Sequence, residues 1–396
     1  MDIFQKHQLK KLSEIPIIPA YRKYLEKLTY ELNQNRMVIL SWHHKVWKWA
    51  FIKEFLVKTK LENKAFLFDK EYLINTIINW KELFKLFNES LKYNNNIKII
   101  ILNNFNKILD IKYFIQYIHS HQNNFKIILM WNSVQIPWIN EIEYLPIKQN
   151  YNSIQNNLSE IIQYWSLPNI YFWEWDYNIK NQLDLIVSET YLNEIFINFW
   201  VKNIELYYFT MTYLSKIEYC LSLRELQKWL SEIQQITLKT LIDYINFSIR
   251  AKIIKPIYRY DFKKQKIISS RVKYYFTDTG IKNSISKYSL SERELKENYL
   301  YQSLAYKDYK IQSGLNGAFD FTFHCNKDNE NICVHYSDVT EKVELKKEIN
   351  KLNKVPVTWK KYLVLDSIEK LWIKKLIYDD VEIVEYQDVF QKLQTK

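Results

Sequence analysis

Between Met37 and Leu56 the chain reads MVILSWHHKVWKWAFIKEFL, and within it Trp42, Trp47, Lys48 and Trp49 are spaced like the fixed positions of G-x-x-x-x-G-K-S/T. His43, His44, Lys45 and Val46 fill the positions between. In that pattern a short apolar strand runs into a turn whose backbone N–H groups surround phosphate oxygens, a lysine reaches the terminal phosphates, and a hydroxyl meets Mg²⁺. Lys48 is the required residue at the required spacing, but indoles fill both glycine slots and the hydroxyl slot. Strand, lysine-bearing turn and helix also describe an ordinary α/β connection, so the rest of the chain has to decide.

A second polar cluster follows Ile97–Leu102, a continuous apolar run of the kind a doubly covered parallel strand shows. It ends on Asn103 and Asn104. Where such a strand faces a nucleotide, an Asp holds Mg²⁺ and a Glu polarises water. Amides hydrogen-bond but bring no charge to a metal and are poor general bases. A further strand, 125–130, leads to Asn132, which reads equally as a polar sensor facing a phosphate and as a turn residue.

The elements that must position these residues are legible as patterns. Tyr21–Leu32 has helical spacing, Met37–Leu40 is a strand, and a helix begins near Lys48. A strand at 65–68, a helical region over 73–91 with Trp80 as a core residue, and a helix at 111–119 separate the apolar runs. Strands alternating with helices, with polar residues at the strand ends, predict an open parallel α/β sheet whose ligand lies at those ends. After a break at Tyr164–Pro168, helical spacing runs over 181–219. Ser222 and Glu225 have capping-box spacing, 236–250 is helical, and 253–260 with 266–276 alternates as a hairpin about 261–265. That order is helix, turn, helix and wing. Residues 291–396 add an acidic helix containing Glu297, strands at 309–313, 314–323, 332–337 and 361–365, and a helix at 341–352, a small α/β domain.

Composition sets bounds. The 396 residues suffice for two or three domains. No apolar run approaches the ~18 residues of a membrane helix, the first residues lack a secretory core, and Cys220, Cys325 and Cys333 have neither disulfide nor zinc spacing. A cytoplasmic protein without a membrane partner is expected. The net charge of +12 is mostly lysine, since only seven of the 56 basic residues are arginine, and A/T-rich codons account for much of it. Even so, Arg250, Lys252, Lys255, Arg259, Lys263, Lys264, Lys266, Arg271 and Lys273 face only Asp261 across the wing. Such a wing can lie along a phosphate backbone or serve as a spacer. His43-His44 and His119 with His121 have no companion ligands, so a metal site there is set aside.

The order of these pieces resembles prokaryotic AAA+ ATPases carrying a winged helix and a restriction-endonuclease-like domain. The resemblance rests on Arg271–Ile281 (RVKYYFTDTGI) against Lys-x-Tyr-Phe-x-Asp-x-Gly-Leu. Tyr164–Pro168 stands against Tyr-Gly-Gly-Leu-Pro, Glu297-Asn298 against Glu-Asn, and Gly317–Phe321 against Gly-x-x-Asp-Phe. It implies a tail (1–20), a P-loop ATPase domain (21–165), a helical connector (166–203), a winged helix (204–284) and an endonuclease-like domain (285–396). It further implies ATP and Mg²⁺ at 42–49, carboxylate slots at Asn103 and Asn104, and a sensor across Met130–Asn132. On charge clustering alone, DNA contacts would come from Arg250, Lys252, Arg259, Lys263, Lys264 and Arg271, and a protein partner or oligomer is expected. No arginine lies between Arg36 and Arg224 to act as a finger, and a loss of that kind costs ~10³-fold or more in rate. In the endonuclease-like part, Glu297 and Asp320 remain, while Cys333 and His335 occupy the Glu-x-Lys positions. A soft thiol in place of a hard oxygen ligand speaks against nuclease activity.

Glycine is scarce, at three residues against thirteen tryptophans, where an average chain carries ~7 % glycine. Trp42, Trp47, Trp131 and Trp165 all stand in glycine slots of the resemblance, with Trp372 as a fifth candidate. The pattern suggests UGA codons that mean glycine in the source and were read as tryptophan. Two function classes are therefore carried: a weakly hydrolysing nucleotide-binding protein, and a catalytically silent scaffold or DNA-binding interaction protein. A carboxylate reaching the crevice from elsewhere in the fold would favour the first.

Overall fold

The computed structural model describes residues 22–41, 48–69, 79–104, 108, 110–121, 125–130, 139–143, 162–164, 179–317, 319–368 and 377–392. The chain divides into two compact units, Met1–Ile154 and Gln155–Lys396.

In the first unit, helix α1 (Arg22–Asn35) precedes β1 (Met37–Ser41), and α2 (Lys48–Thr59) leads to β2 (Ala65–Asp69). Helix α3 (Trp80–Tyr93), β3 (Ile99–Asn103), α4 (Ile111–His121), β4 (Lys126–Met130) and β5 (Asn140–Glu143) follow. The strands form one sheet in the order β2-β3-β4-β1-β5, with every neighbouring pair parallel. Strands β1, β2 and β3 are buried along their whole length, which is why they read as unbroken apolar runs rather than alternating ones. One face carries Met37, Ile39, Phe66, Phe68, Ile100, Leu102, Ile127 and Leu129, packed with Leu83 and Phe87 of α3 and Phe114, Ile115 and Ile118 of α4. The two-residue period puts Val38, Leu40, Leu67, Ile101 and Ile128 on the other face, equally buried. Phe51, Ile52, Phe55 and Leu56 of α2 are buried outside the first cluster, so α2 covers that second face. An Asn79 capping box starts α3, its side chain accepting from the Lys81 and Glu82 N–H groups.

This strand order creates a switch point. The chain leaving β1 crosses to the far edge at β2, whereas the chain leaving β4 crosses β1 to reach β5. In open parallel sheets the C-terminal strand ends at such a reversal of order, here those of β1 and β4, are where ligands bind.

In the second unit, α5 (Ile179–Thr190) runs into a π-helical turn (Tyr191–Phe196) and a short helical piece (Ile197–Phe199). Helices α6 (Ile204–Ser215), α7 (Leu223–Ser231) and α8 (Leu238–Arg250) precede the hairpin of β6 (Ile254–Asp261) and β7 (Lys266–Phe276). Leu221 bridges Val272 of that hairpin, and the Ser222–Glu225 capping box forms as its spacing predicts. Helices α9 (Thr279–Ile285) and α10 (Glu292–Tyr306) lead into β8 (Lys310–Asn316), β9 (Phe319–Lys327) and β10 (Glu330–Ser337). There follow α11 (Lys342–Leu352), β11 (Lys360–Leu365), β12 (Ile377–Tyr378), β13 (Val381–Glu385) and a short helix, α12 (Val389–Lys392). The eight strands share one mixed sheet, β12-β13-β11-β10-β9-β8-β6-β7. The hairpin is thus continuous with the C-terminal strands, because Arg259–Asp261 pair in parallel with Ser313–Leu315. Leu295, Tyr299, Leu300 and Leu304 of α10 pack on one face with Phe323, Val334 and Val364. Leu345, Ile349 and Leu352 of α11 pack on the other with Cys333, Leu363 and Leu365.

Two backbone features differ from the sequence expectation. The strand break expected at Gly314 lies instead at Gly317, which has φ +65°. Gly314 sits inside β8, where a Cβ would come within 2.8 Å of the Phe262 ring. The continuous helical reading of 181–219 is interrupted at Trp200, which caps a helix end in the left-handed region (φ 53°, ψ 45°) and is 85 % exposed. That position normally belongs to glycine. By contrast, Trp80, Trp229 and Trp359 each pack against other rings. Left-handed backbone costs an L-residue roughly 1–2 kcal/mol, partly offset by the flexibility glycine adds to the unfolded chain. Trp200→Gly should therefore raise stability by about 1 kcal/mol, read from the urea midpoint; a lower midpoint would show that the indole makes up for its backbone strain.

Candidate functional site

The C-terminal edge of the sheet at the switch point carries Ser41 at the end of β1, Met130 at the end of β4 and Asn103 at the end of β3. Lys48 and Trp49 open α2, a helix of 12 residues whose first N–H groups have no intrahelical acceptor and favour an anion. Trp42, His43, His44, Lys45, Val46 and Trp47 lie outside the described residues, as do Asn132, Trp131, Trp165 and Trp372.

Asn103 and Asn104 are buried, at 3 % and 8 % exposure. The Asn104 backbone adopts φ 51°, a left-handed conformation that asparagine tolerates better than most residues, and its N–H donates to Met130 O at 3.2 Å. A carboxylate that the sequence reading passed over lies beside them. Asp69 ends β2 in register with Asn103 and is 1 % exposed. Its Oδ2 accepts from Asn103 Nδ2 at 2.9 Å and its Oδ1 from Asn104 Nδ2 at 3.4 Å. The only sequence signal was a lone acid closing the apolar run AFLFD. The other end of the Asn103 amide, Oδ1, is buried with no hydrogen-bond partner. A buried acceptor left unmade costs ~1–3 kcal/mol, so an orphan of this kind at a strand end calls for an explanation.

Among the described residues, no three His, Cys, Asp or Glu side chains converge on a metal position. A phosphate-bound Mg²⁺ does not need such a cage. It keeps several waters and takes one or two protein groups, and the orphaned Asn103 Oδ1 is an acceptor suited to a metal-bound water.

In the second unit, three of the four residues carried over from the nuclease resemblance have other partners, and the fourth is shut inside the core. Glu297 Oε1 accepts from Lys273 Nζ and from the Tyr275 hydroxyl. Burial would raise its pKa, but Lys273 and Tyr275 outweigh burial and hold the carboxyl below its usual range. Asp320 pairs with Arg259 at 2.5 Å. Cys333 is fully buried, and burial pushes its thiol up. His335 Nε2 meets Glu348 Oε2 at 3.0 Å; despite burial, His335 and Lys351 draw the Glu348 carboxyl down to about 2.

The motif Arg271–Ile281 is explained by packing. Lys273 and Tyr275 hold Glu297, and Asn298 Oδ1 accepts from the Phe276 N–H at 2.9 Å while its Nδ2 donates to Phe276 O at 2.9 Å. Asp278 caps α9 through the Ile281 N–H at 2.8 Å. Glu-Asn and the wing-end motif thus form one interlock between α10 and β7.

The β6–β7 hairpin is less available for phosphate than its composition suggests. Arg259 is paired with Asp320, Arg271 with Glu225 at 2.9 Å, and the Arg250 guanidinium lies 4.7 Å from the Phe199 ring centre. Lys263 and Lys264 are exposed on the hairpin turn, where Asp261 accepts from both backbone N–H groups. Lys252 follows α8 with φ 60°.

No family model and no curated protein matches the chain. Among solved structures it is similar to the Walker-type ATPase PABY2304 of Pyrococcus abyssi, with 12 % identity, a TM-score of 0.45, and coverage of 69 % of this chain and 99 % of that one. It is also similar to PH0952 from Pyrococcus horikoshii, a STAND (signal transduction ATPase with numerous domains) protein with a tetratricopeptide-repeat sensor. There the identity is 10 % and the TM-score 0.29, over 74 % of this chain and 46 % of that one. At such values the fold rests on its own strand order, which is open parallel α/β with helices on both faces. No helix among the described residues is long and apolar enough to cross a membrane.

Proposed function

We propose that this chain is a AAA+-like nucleotide-binding protein whose hydrolysis is slow or absent. One observation carries the reading. Lys48 opens α2 seven residues after β1 ends at a topological switch point, and β3 ends two strands away on Asn103-Asn104. ATP would lie with its phosphates at the start of α2, within the loop of residues 42–47. Asn103 and Asn104 supply hydrogen bonds but no general base, so binding outlasts chemistry.

The second unit supports a companion role in docking. Helices α6, α7 and α8 followed by β6–β7 give a winged-helix reading, and the mixed sheet between α10 and α11 gives a restriction-endonuclease-like one. Lys263 and Lys264 at the hairpin turn are the groups best placed to meet DNA or an acidic partner surface, and a neighbouring copy of the chain would be the source of a missing arginine finger. The tryptophans at 42, 47, 131, 165 and 372 are read as recoded glycines, and the left-handed Trp200 joins them. Sequencing the gene tests this, since UGG at codons 42, 47, 131 and 165 ends it.

The functional test is calorimetric titration of MgATP into the full chain with glycine at 42 and 47, beside its Lys48→Ala variant, followed by phosphate release. Micromolar binding is expected, weakened at least tenfold by Lys48→Ala, with turnover far below that of an ordinary ATPase. Equal affinity in both proteins would move the site away from α2.

A further inference from the structure

We propose that Asp69 is a positioning residue that allows Asn103 to act at the switch point in place of the acid missing from β3. The inference rests on the nucleotide reading above and deepens it, assigning an Mg²⁺-linked role to a residue on a different strand.

The argument starts from the asymmetry of an amide. Asn103 has a donor end and an acceptor end, and nothing in its own backbone decides which way each points. Asp69 decides it. A carboxylate only accepts, so Nδ2 must turn toward β2, where it meets Asp69 Oδ2 at 2.9 Å. Oδ1, on the other arm of the same carbon, then points away from β2. It is buried and unpartnered at the C-terminal end of a strand two places from β1. Asn104 Nδ2 holds the second carboxylate oxygen at 3.4 Å, so both tandem amides are tied to one acid.

Electrostatics follow the same geometry. An amide oxygen alone offers a hydrated cation a dipole and no charge. A carboxylate bonded to the far end of that amide polarises it and places a negative charge one group behind the acceptor, as outer partners do for metal ligands generally. The charge absent from β3 in the sequence is thereby restored from β2. The same geometry disfavours an acid at 103. An Asp at 103 would set a second carboxylate against Asp69, and like charges at that separation disfavour joint ionisation.

The experiment measures the Mg²⁺ dependence of ATP affinity by titration in the full chain with glycine at 42 and 47. The parent is compared with Asp69→Ala, Asn103→Asp and the double exchange Asp69→Asn with Asn103→Asp. In EDTA, Asp69→Ala should bind ATP within about twofold of the parent. Its Mg²⁺ half-saturation should weaken by roughly ten- to a hundredfold, the range seen when an outer partner of a metal site is lost. Asn103→Asp alone should lower the melting temperature, and the double exchange should recover both the melting temperature and the Mg²⁺ dependence. If Asp69→Ala and the double exchange both keep the parent's Mg²⁺ half-saturation, or the double exchange is folded and loses it, Asp69 is a structural anchor only and the proposal falls. If the parent binds no ATP with or without Mg²⁺, the nucleotide reading itself falls, a result distinct from the first.

Discussion

Replacing Trp42 and Trp47 with glycine should raise MgATP affinity by at least a hundredfold over the tryptophan-bearing chain. A phosphate cradle is made of backbone N–H groups, and its turn needs residues that adopt φ > 0 without a side chain at the ligand. An indole buries ~150–250 Å² when packed, so two of them in such a loop would fill the space the phosphates need. A hundredfold is about 2.7 kcal/mol, modest beside the loss of several phosphate-directed hydrogen bonds. The gain has a ceiling, because Trp49 stays at the hydroxyl position and brings no ligand for Mg²⁺. Titration of both proteins settles the matter. Micromolar binding by the tryptophan form would show that the loop folds differently from the glycine-slot reading and would leave the thirteen tryptophans to be explained as genuine.

The largest stability effect is expected in the second unit, at Asn298. Strand β7 is the last in its sheet, and Phe276 near its end is met by the Asn298 amide, which accepts from its N–H and donates to its carbonyl as a further strand would. Asn298 is fully buried, so water cannot replace it. Asn298→Ala should destabilise the protein by about 2–4 kcal/mol, combining lost bonds with an unsatisfied N–H. Gln302 still donates to the Phe276 carbonyl at 3.4 Å, which limits the damage on that side. Asn298→Asp should be no better, since a carboxylate accepts from the N–H but faces the carbonyl with a second acceptor. Urea denaturation measures both, and a change under 0.5 kcal/mol for Asn298→Ala would mean that the interlock is incidental.

Much of the architecture is local in origin and so could be read from the chain. Ile99–Leu102 is an unbroken apolar run because both faces of the strand are covered. Ser222 and Glu225 are three residues apart because a helix start requires it, and the hairpin turns at 261–265 because Asp261 supports that turn through its own neighbours. The edge strands β5 and β12, of four and two residues, escaped notice because they carry too few residues to establish a period.

What sequence alone determined is therefore the succession of strands and helices, the lysine at the head of α2, and the loss of acids from the end of β3. Tertiary structure alone brought an acid to the amides that stand there. Asp69 and Asn103 are 34 positions apart and meet because β2 and β3 pair in parallel, in a register fixed by the buried faces of both strands. Glu297 was likewise a nuclease remnant on paper and a partner of Lys273 and Tyr275 in the fold. Periodicity reports what each residue does within its own element, whereas the partner of a buried charge is chosen by contacts between distant elements, which no local pattern encodes.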